Sequence, residues 1–150
     1  MIFSITDSQK NKRRIYLSTA FKEISSNLLH MKVPLAQLPT GQWMNLCFDL
    51  EDLVSGNFKG STFRLLDAII IHPSCQIRKI FTMKNAPQDT TILNSPSGEE
   101  IPRAYVFPLG VENMVKIVNM ASVSETDEEE IDNGEKESNP CYSRKFLISR

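Results

Sequence analysis

The side chains that could perform chemistry are few in this sequence and widely spaced. His30 and His72 have no second His and no Cys at the spacing that a metal site needs. The carboxylates of Asp49, Glu51 and Asp52 are clustered, as in a metal site or an acid/base pair. A helix that begins here accounts for all three completely and is the favoured interpretation, because acidic side chains favour a helix N-terminus. We therefore predict no catalytic residue, no metal site and no cofactor.

The sequence fingerprints of the common enzyme classes are also absent. There is no phosphate loop and no dinucleotide-binding glycine motif, and the chain has 6 glycines in total. The metalloprotease, serine hydrolase and zinc deaminase signatures are missing as well. These absences favour a non-enzymatic protein without a small-molecule substrate.

The three cysteines, Cys47, Cys75 and Cys141, predict a reducing compartment. Their number is odd and no CxxC occurs, which argues against a disulfide framework or a zinc site. Cys47 and Cys75 lie in apolar, strand-like runs, where a free Cys usually behaves as a small buried hydrophobe. The first residues are too short for a signal-peptide core, and no apolar stretch is long enough for a membrane span. We expect a soluble, cytosolic or cytoskeletal protein that does not bind membranes.

Basic side chains are concentrated in two segments that could bind a partner. They would form one patch if the strand at 13–19 neighbours the strand at 76–83, and such a patch suits an acidic protein surface or phosphates. A specific nucleic-acid site would need a stronger positive balance and interleaved exposed aromatics. A solvated surface explains the same charges. The candidates are Lys10, Lys12, Arg13, Arg14, Arg78 and Lys79.

Trp43, the single tryptophan, is the other candidate for partner binding. If its ring faces outward, it could stack on a sugar or anchor a partner protein. If it packs under a loop, it belongs to the edge of the core. The sequence leaves both interpretations open.

The elements that must position these residues are strands. About six short apolar runs with turn residues between them predict a mainly β fold, an antiparallel sandwich or barrel. In the run 42–50, every second residue from Met44 to Leu50 is apolar, so we expect that face to point into the core. Asp49 should cap a helical turn over 51–54. Three consecutive isoleucines in 66–71 predict a strand buried on both faces.

The pattern changes after residue 84. Residues 85–124 read as a linker with a short amphipathic helix over 111–121, although its β-branched residues weaken that helix. Residues 125–150 carry 4 Lys/Arg and 8 Asp/Glu and read as a disordered acidic tail. Residues 1–84, with 11 basic and 6 acidic side chains, would then form the folded domain.

The order and spacing of several motifs resemble a known family. The succession of segments is similar to the cilia- and flagella-associated protein 20 domain over about residues 2–84, and details just beyond are closest to a larger protein that contains this domain. The signals are a Trp before an apolar strand and a Cys-x-Ile-Arg strand that ends in Phe. The matching segments are Lys12–Thr19, Lys32–Leu35, Trp43–Leu50, Phe58–Gly60, Leu66–Ile71, Cys75–Phe81 and Pro87–Thr90.

The resemblance implies a β-sandwich of jelly-roll type, similar in shape to carbohydrate-binding modules. It also implies a non-catalytic, structural role on the microtubules of cilia or flagella, in the axoneme or basal body, with tubulin or other axonemal proteins as partners. Tubulin is strongly acidic, so the basic segments 10–19 and 76–84 are the expected contact positions.

In that family, several strands precede the segment that begins here at Ile2, so the resemblance implies a partial sandwich. One alternative is therefore a fragment or truncated isoform without independent function. Another is a ligand- or protein-interaction module in the manner of carbohydrate-binding modules, with Trp43 at its site.

Overall fold

In a computed structural model of the chain, two β-sheets pack face to face and form a sandwich. The structure describes residues 1–35, 38, 41–72, 75–104, 106–124 and 145–149. The elements follow in the order β1 (Ile2–Asp7), β2 (Lys12–Ser18), β3 (Ser25–Ser26), β4 (His30–Pro34), β5 (Trp43–Asp49), α1 (Leu50–Asn57), β6 (Phe63–Ile70), β7 (Lys79–Met83), β8 (Asn113–Val118), α2 (Met120–Ser124) and β9 (Lys145–Ser149). The prediction of a mainly β fold is confirmed.

The first sheet has five strands in the order β3-β4-β2-β1-β6. Its centre is the antiparallel β1–β2 hairpin, closed by a turn in which the Asn11 N–H donates to Oδ1 of Asp7 at 2.8 Å. Alternation along β1 directs Phe3 and Ile5 into the core, where both side chains are fully buried. β4 returns parallel to β2 through the short strand β3.

The second sheet has four strands in the order β7-β9-β5-β8. The expected core face of β5 is confirmed, because Met44, Leu46 and Phe48 are buried between the sheets. The Phe48 ring meets the Phe3 ring edge-on, with centroids 5.0 Å apart, and so joins the two sheets. The opposite face of β5 is also covered: Cys47 packs in a second cluster whose other members are Phe81, Met83, Ala86, Ile101 and Ile117.

Asp49 caps α1, as the sequence predicts. Its carboxylate accepts a hydrogen bond from the Asp52 N–H at 3.2 Å, and Glu51 and Asp52 occupy the first turn. The helix is longer than predicted and buries Leu50, Leu53 and Val54 against the sandwich.

Each sheet contains one parallel pair in addition to its antiparallel pairs, which differs from the all-antiparallel expectation. β2 pairs with β4, and β5 pairs with β8. Turn residues mark where strands end but carry no information about which strands become neighbours, so the sequence pattern could not reveal these pairs.

The helix predicted over 111–121 is wrong. Residues 113–118 form β8 instead, and a short helix follows as α2. The β-branched residues Val115, Ile117 and Val118 explain the difference, because they favour a strand paired with β5 over a helix. The predicted linker 85–124 therefore contributes a strand to the sandwich.

The strand predicted to be buried on both faces lies at the edge of its sheet. Among the described residues, β6 has β1 as its only strand neighbour. Ile70 is 43% exposed and Leu65 is 38% exposed, so the expectation of full burial is wrong. Cys75 also differs from expectation, because it is exposed while Cys47 is buried.

The predicted acidic tail falls mostly outside the described residues. Of 125–150, the structure describes 145–149, which form β9 between β5 and β7. The apolar run Phe146-Leu147-Ile148 is a suitable strand sequence that the tail prediction did not separate from the acidic residues before it. No helix within the described ranges is long and apolar enough to cross a membrane.

Candidate partner-binding surface

The outward side of the five-stranded sheet collects basic side chains. Alternation along β2 directs Ile15 and Leu17 into the core and leaves Lys12 and Arg14 exposed on the other side. Lys10 is exposed in the turn that precedes them. Two of the predicted surface cations, Lys12 and Arg14, therefore share one face, and Lys10 borders it.

The neighbouring strand β4 adds a third cation to this side of the sheet. The parallel register places His30 beside Arg14 and Lys32 beside Tyr16. The Tyr16 and His30 rings meet edge-on with centroids 5.7 Å apart. We call the surface formed by Lys12, Arg14, Tyr16, His30 and Lys32 the outer basic face.

One carboxylate borders the outer basic face. Asp67 accepts from Lys12 Nζ and from the Thr6 hydroxyl, each at 2.8 Å. These two hydrogen bonds lower the pKa of Asp67, so it is ionised at neutral pH. On the described strands of this sheet, it is the one carboxylate that faces outward, because Asp7 is buried. The positive charges of Arg14 and Lys32 are thus not offset within the face.

Arg13 lies in the core and not on the surface where the sequence analysis placed it. Its side chain is 8% exposed and forms an ion pair at 2.6 Å with Asp7, which is fully buried. Its guanidinium also donates to the Leu28 carbonyl and to Ser61 Oγ, and it stacks 4.4 Å from the Phe58 ring centroid. With these partners, its charge balances Asp7 and does not extend the outer basic face.

The Asp7 carboxylate is held ionised inside this network. Burial opposes its ionisation, but hydrogen bonds from Asn11 and Arg13, together with the charge of Arg13, outweigh burial and hold the pKa of Asp7 below its ordinary value. The pair joins β1 to β2 from within the sandwich, so it supports the strand that carries the outer basic face.

Arg78 and Lys79 lie elsewhere in the fold. They belong to the region of β7, in the four-stranded sheet, so the strands at 13–19 and 76–83 are not neighbours and do not form the single patch that the sequence analysis considered. The Arg78 guanidinium lies 5.1 Å from the Phe107 ring centroid, and Lys79 Nζ donates to the Ala104 carbonyl at 2.6 Å.

Trp43 joins this second group of residues. Its ring packs against Phe107 with centroids 5.7 Å apart, and it is half-buried. Since Phe107 lies in the segment between β7 and β8, Trp43 has the arrangement in which the ring packs under a loop.

Lys32 and His30 are not among the partner-binding residues predicted from the sequence. The signal that could have found them is the alternation of His30, Met31, Lys32 and Val33, which places the first and third on the solvent side. Their position beside β2 could not be predicted, because it depends on the parallel pairing of β4.

The acidic cluster has a structural role at the start of α1. Besides the cap from Asp49, Asp52 Oδ2 accepts from the Met120 N–H at 2.7 Å and ties α1 to α2. Burial and the nearby Asp49 raise the pKa of Glu51, and a hydrogen bond from the Phe63 backbone opposes that rise. In the part of the chain that the structure describes, no group of three or more His, Cys, Asp or Glu side chains could hold a metal ion.

Comparison with known proteins gives one family. A family model described as the CFA20 domain matches residues 1–95, more than half of the chain. The match includes every strand from β1 to β7 together with α1, and it ends before β8 and β9. None of the solved structures matches this chain.

Proposed function

This chain belongs to the CFA20 domain family, and from that membership we propose that it is a non-catalytic structural protein of cilia or flagella that binds microtubules. The family name points coarsely to cilia and flagella. The finer statement, that the outer basic face contacts the acidic surface of tubulin in the axoneme or basal body, is our proposal.

The outer basic face is the observation that carries this proposal. Arg14 and Lys32 are exposed on adjacent parallel strands, and Lys12 is two residues from Arg14 on the same side. Adjacent strands are about 4.8 Å apart, and alternate residues along a strand are about 7 Å apart. Lys32 is one strand across and two residues along from Arg14, so their Cα atoms are about 8 Å apart. The three cations can therefore contact several carboxylates of one acidic surface at the same time.

The number of cations on the face also favours this use. Lys12 pairs with Asp67, and the Tyr16 and His30 rings contact each other edge-on on the same side of the sheet. A single exposed ion pair contributes about 0–1 kcal/mol, so binding by such a face needs several pairs that form together. Exposed ion pairs are screened by salt, so we expect the affinity to fall as ionic strength rises.

Microtubule co-sedimentation with matched charge reversals tests the proposal. The variant R14E/K32E reverses the two cations that have no carboxylate beside them on the face. The control K59E/R103E changes the net charge equally at exposed positions outside it. We expect R14E/K32E to weaken binding at least about tenfold, since roughly 1.4 kcal/mol corresponds to a tenfold change in Kd. The control should bind like the unchanged chain.

Two results would contradict the proposal. If the unchanged chain does not sediment with microtubules at low salt, microtubule binding is wrong. If R14E/K32E and K59E/R103E weaken binding equally, the effect is one of net charge and the outer basic face is not the contact. Circular dichroism of both variants checks that the sandwich is intact.

A further inference from the structure

The strand β6 has the composition of a central strand but lies at the edge of its sheet. Its last six residues, Leu65–Ile70, contain one charged residue, Asp67, and no proline. Leu65 and Ile70 are more than a third exposed, and Leu66 and Ile69 are only partly buried although they pack against the core. An apolar edge strand of this kind can pair with another chain, because its outer backbone groups have no strand partner among the described residues.

Unlike the edge formed by β6, the edge formed by β8 is covered by hydrogen bonds from a neighbouring segment. Along β8, the Thr90 N–H donates to the Val115 carbonyl at 2.8 Å, and the Val115 N–H donates to Thr90 Oγ1 at 2.8 Å. Asp89 Oδ2 accepts from the Ile117 N–H at 2.7 Å. The opposite edge of the first sheet ends in β3, which has two residues. Within the described residues, Leu65–Ile70 has no comparable cover beyond β1.

The pairing of β6 with β1 establishes which side each residue faces. Leu66 lies opposite the buried Ile5, and Ile69 lies opposite the buried Phe3, so both face the core. The register shifts between Ser4 and Ile5, so Asp67 and Ala68 both lie on the outward side. The outward residues of this stretch are then Leu65, Asp67, Ala68 and Ile70.

This pattern is self-complementary in one antiparallel register. We infer that β6 pairs with β6 of a second copy of this chain, with Leu65 opposite Ile70, Leu66 opposite Ile69 and Asp67 opposite Ala68. Residues directly opposite each other in an antiparallel pair lie on the same side of the sheet. This register satisfies that requirement at every pair, whereas a shift by one or two residues places a core-facing residue opposite an outward one.

The pairing joins two five-stranded sheets into one ten-stranded sheet about a two-fold axis. Leu65 of each copy covers Ile70 of the other on the outward side, where both are now exposed. On the core side, Leu66 and Ile69 cover each other. The two Asp67 side chains come near the axis, but each is already paired with Lys12 of its own copy, which reduces their repulsion.

Sedimentation velocity and disulfide trapping on the full chain test the register. In a background with Cys75→Ser and Cys141→Ser, the variant L65C/I70C should form a covalent dimer on mild oxidation, because each new Cys faces its counterpart across the axis. Within one copy, positions 65 and 70 are about 16 Å apart along the strand, too far for a disulfide, which needs Cα atoms within about 7 Å. The single variants L65C and I70C should therefore stay monomeric on a denaturing gel.

Charge substitution gives an independent measurement. L65K/I70K should raise the dimer Kd at least about tenfold, since it removes the outward Leu–Ile pair twice in each dimer. L93K/L109K, which changes two highly exposed leucines in loops, should leave the Kd unchanged. All four positions are exposed, so the sandwich should fold in both variants, as circular dichroism will show.

Several results would overturn this inference. If the chain remains a monomer at all protein concentrations up to about 100 μM, β6 does not pair with itself. A dimer that L65K/I70K does not weaken forms through another surface. Equal crosslinking of L65C, I70C and L65C/I70C means that the register is wrong. Each of these results is independent of microtubule binding.

Discussion

Replacement of Arg13 by methionine should destabilise the protein strongly, whereas the same replacement of the neighbouring Arg14 should change its stability little. Methionine fills a similar apolar volume but removes every hydrogen bond that the guanidinium donates. The Asp7 carboxylate loses its ion pair at 2.6 Å, and Ser61 Oγ loses a donor at 3.0 Å. The stack on Phe58 also loses its charge. Arg14→Met is the matched control, because Arg14 is one residue away on the exposed side of the same strand.

The size of the expected destabilisation follows from the burial of the Arg13–Asp7 ion pair. Removal of one partner from a buried ion pair typically costs about 3–5 kcal/mol, because the other charge is left uncompensated. Asp7 keeps two hydrogen bonds from Asn11, at 2.8 Å and 3.3 Å, so we expect the lower part of that range. For a protein of this size, such a loss lowers Tm by roughly 6–15 °C. Arg14→Met should change the free energy of unfolding by less than about 0.5 kcal/mol.

The pH dependence of the stability provides a second test of the buried ion pair. The pKa of Asp7 in the folded protein lies below its ordinary value of 3.8. Its contribution to stability is therefore complete above that ordinary pKa and is lost as the pH falls through the folded-state pKa. In Arg13→Met, burial without the counter-charge should raise the pKa of Asp7, so the variant gains stability as the pH falls toward 4. The difference between the two proteins should be largest at pH 7 and should narrow in acid.

Urea unfolding at pH 7 and pH 4, followed by circular dichroism, measures both quantities. If Arg13→Met does not fold, Arg13→Lys is the variant to measure. Lysine keeps the charge but not the planar guanidinium, so the stability of Arg13→Lys should lie between those of the unchanged chain and Arg13→Met. The account of Arg13 as a core residue is refuted if Arg13→Met and Arg14→Met have equal stability. It is also refuted if the stability difference between Arg13→Met and the unchanged chain does not vary with pH.

Two further predictions concern Asp89 and the two described cysteines. Asp89→Ala should reduce the free energy of unfolding, measured by urea unfolding, by about 1–3 kcal/mol, because the Ile117 N–H loses its acceptor. Asp89→Asn keeps an acceptor oxygen and should reduce it less. A thiol reagent added to the native protein should modify the exposed Cys75 and leave the buried Cys47 unmodified until urea unfolds the chain, as peptide mapping will show. Equal labelling of the two cysteines in the native protein would contradict the burial of Cys47.

The parts of the fold that depend on local pattern were predictable. Alternation in β5 gave the correct core face, because Met44, Leu46 and Phe48 report only on their own strand. The cap at Asp49 was equally local. The position of Arg13 was within reach too: if the strand is extended back from Ile15, every second residue faces the core, and Arg13 has the phase of Ile15 and Leu17.

The parts that depend on distant neighbours were not predictable. The isoleucine run of β6 indicates a strand that can be buried, but not how many strands lie beside it. The outer basic face arises because β4 pairs parallel with β2, which brings Lys32 beside Tyr16 and His30 beside Arg14. No spacing within either strand contains that information. The same reason explains why Lys12 and Lys79, both basic and both in strands, lie in different sheets.

The position of β9 between β5 and β7 has a consequence for the order of events during synthesis. Strands β1 to β4 and β6 can assemble the first sheet once residue 70 has been made, because every strand pair in that sheet lies before this point. β7 has no strand neighbour in the described structure other than β9, which begins roughly 60 residues after β7 ends. At typical translation speeds of about 5–20 residues per second, β7 waits about 3–12 s for its partner. During that interval its edge is open to any chaperone that binds extended segments.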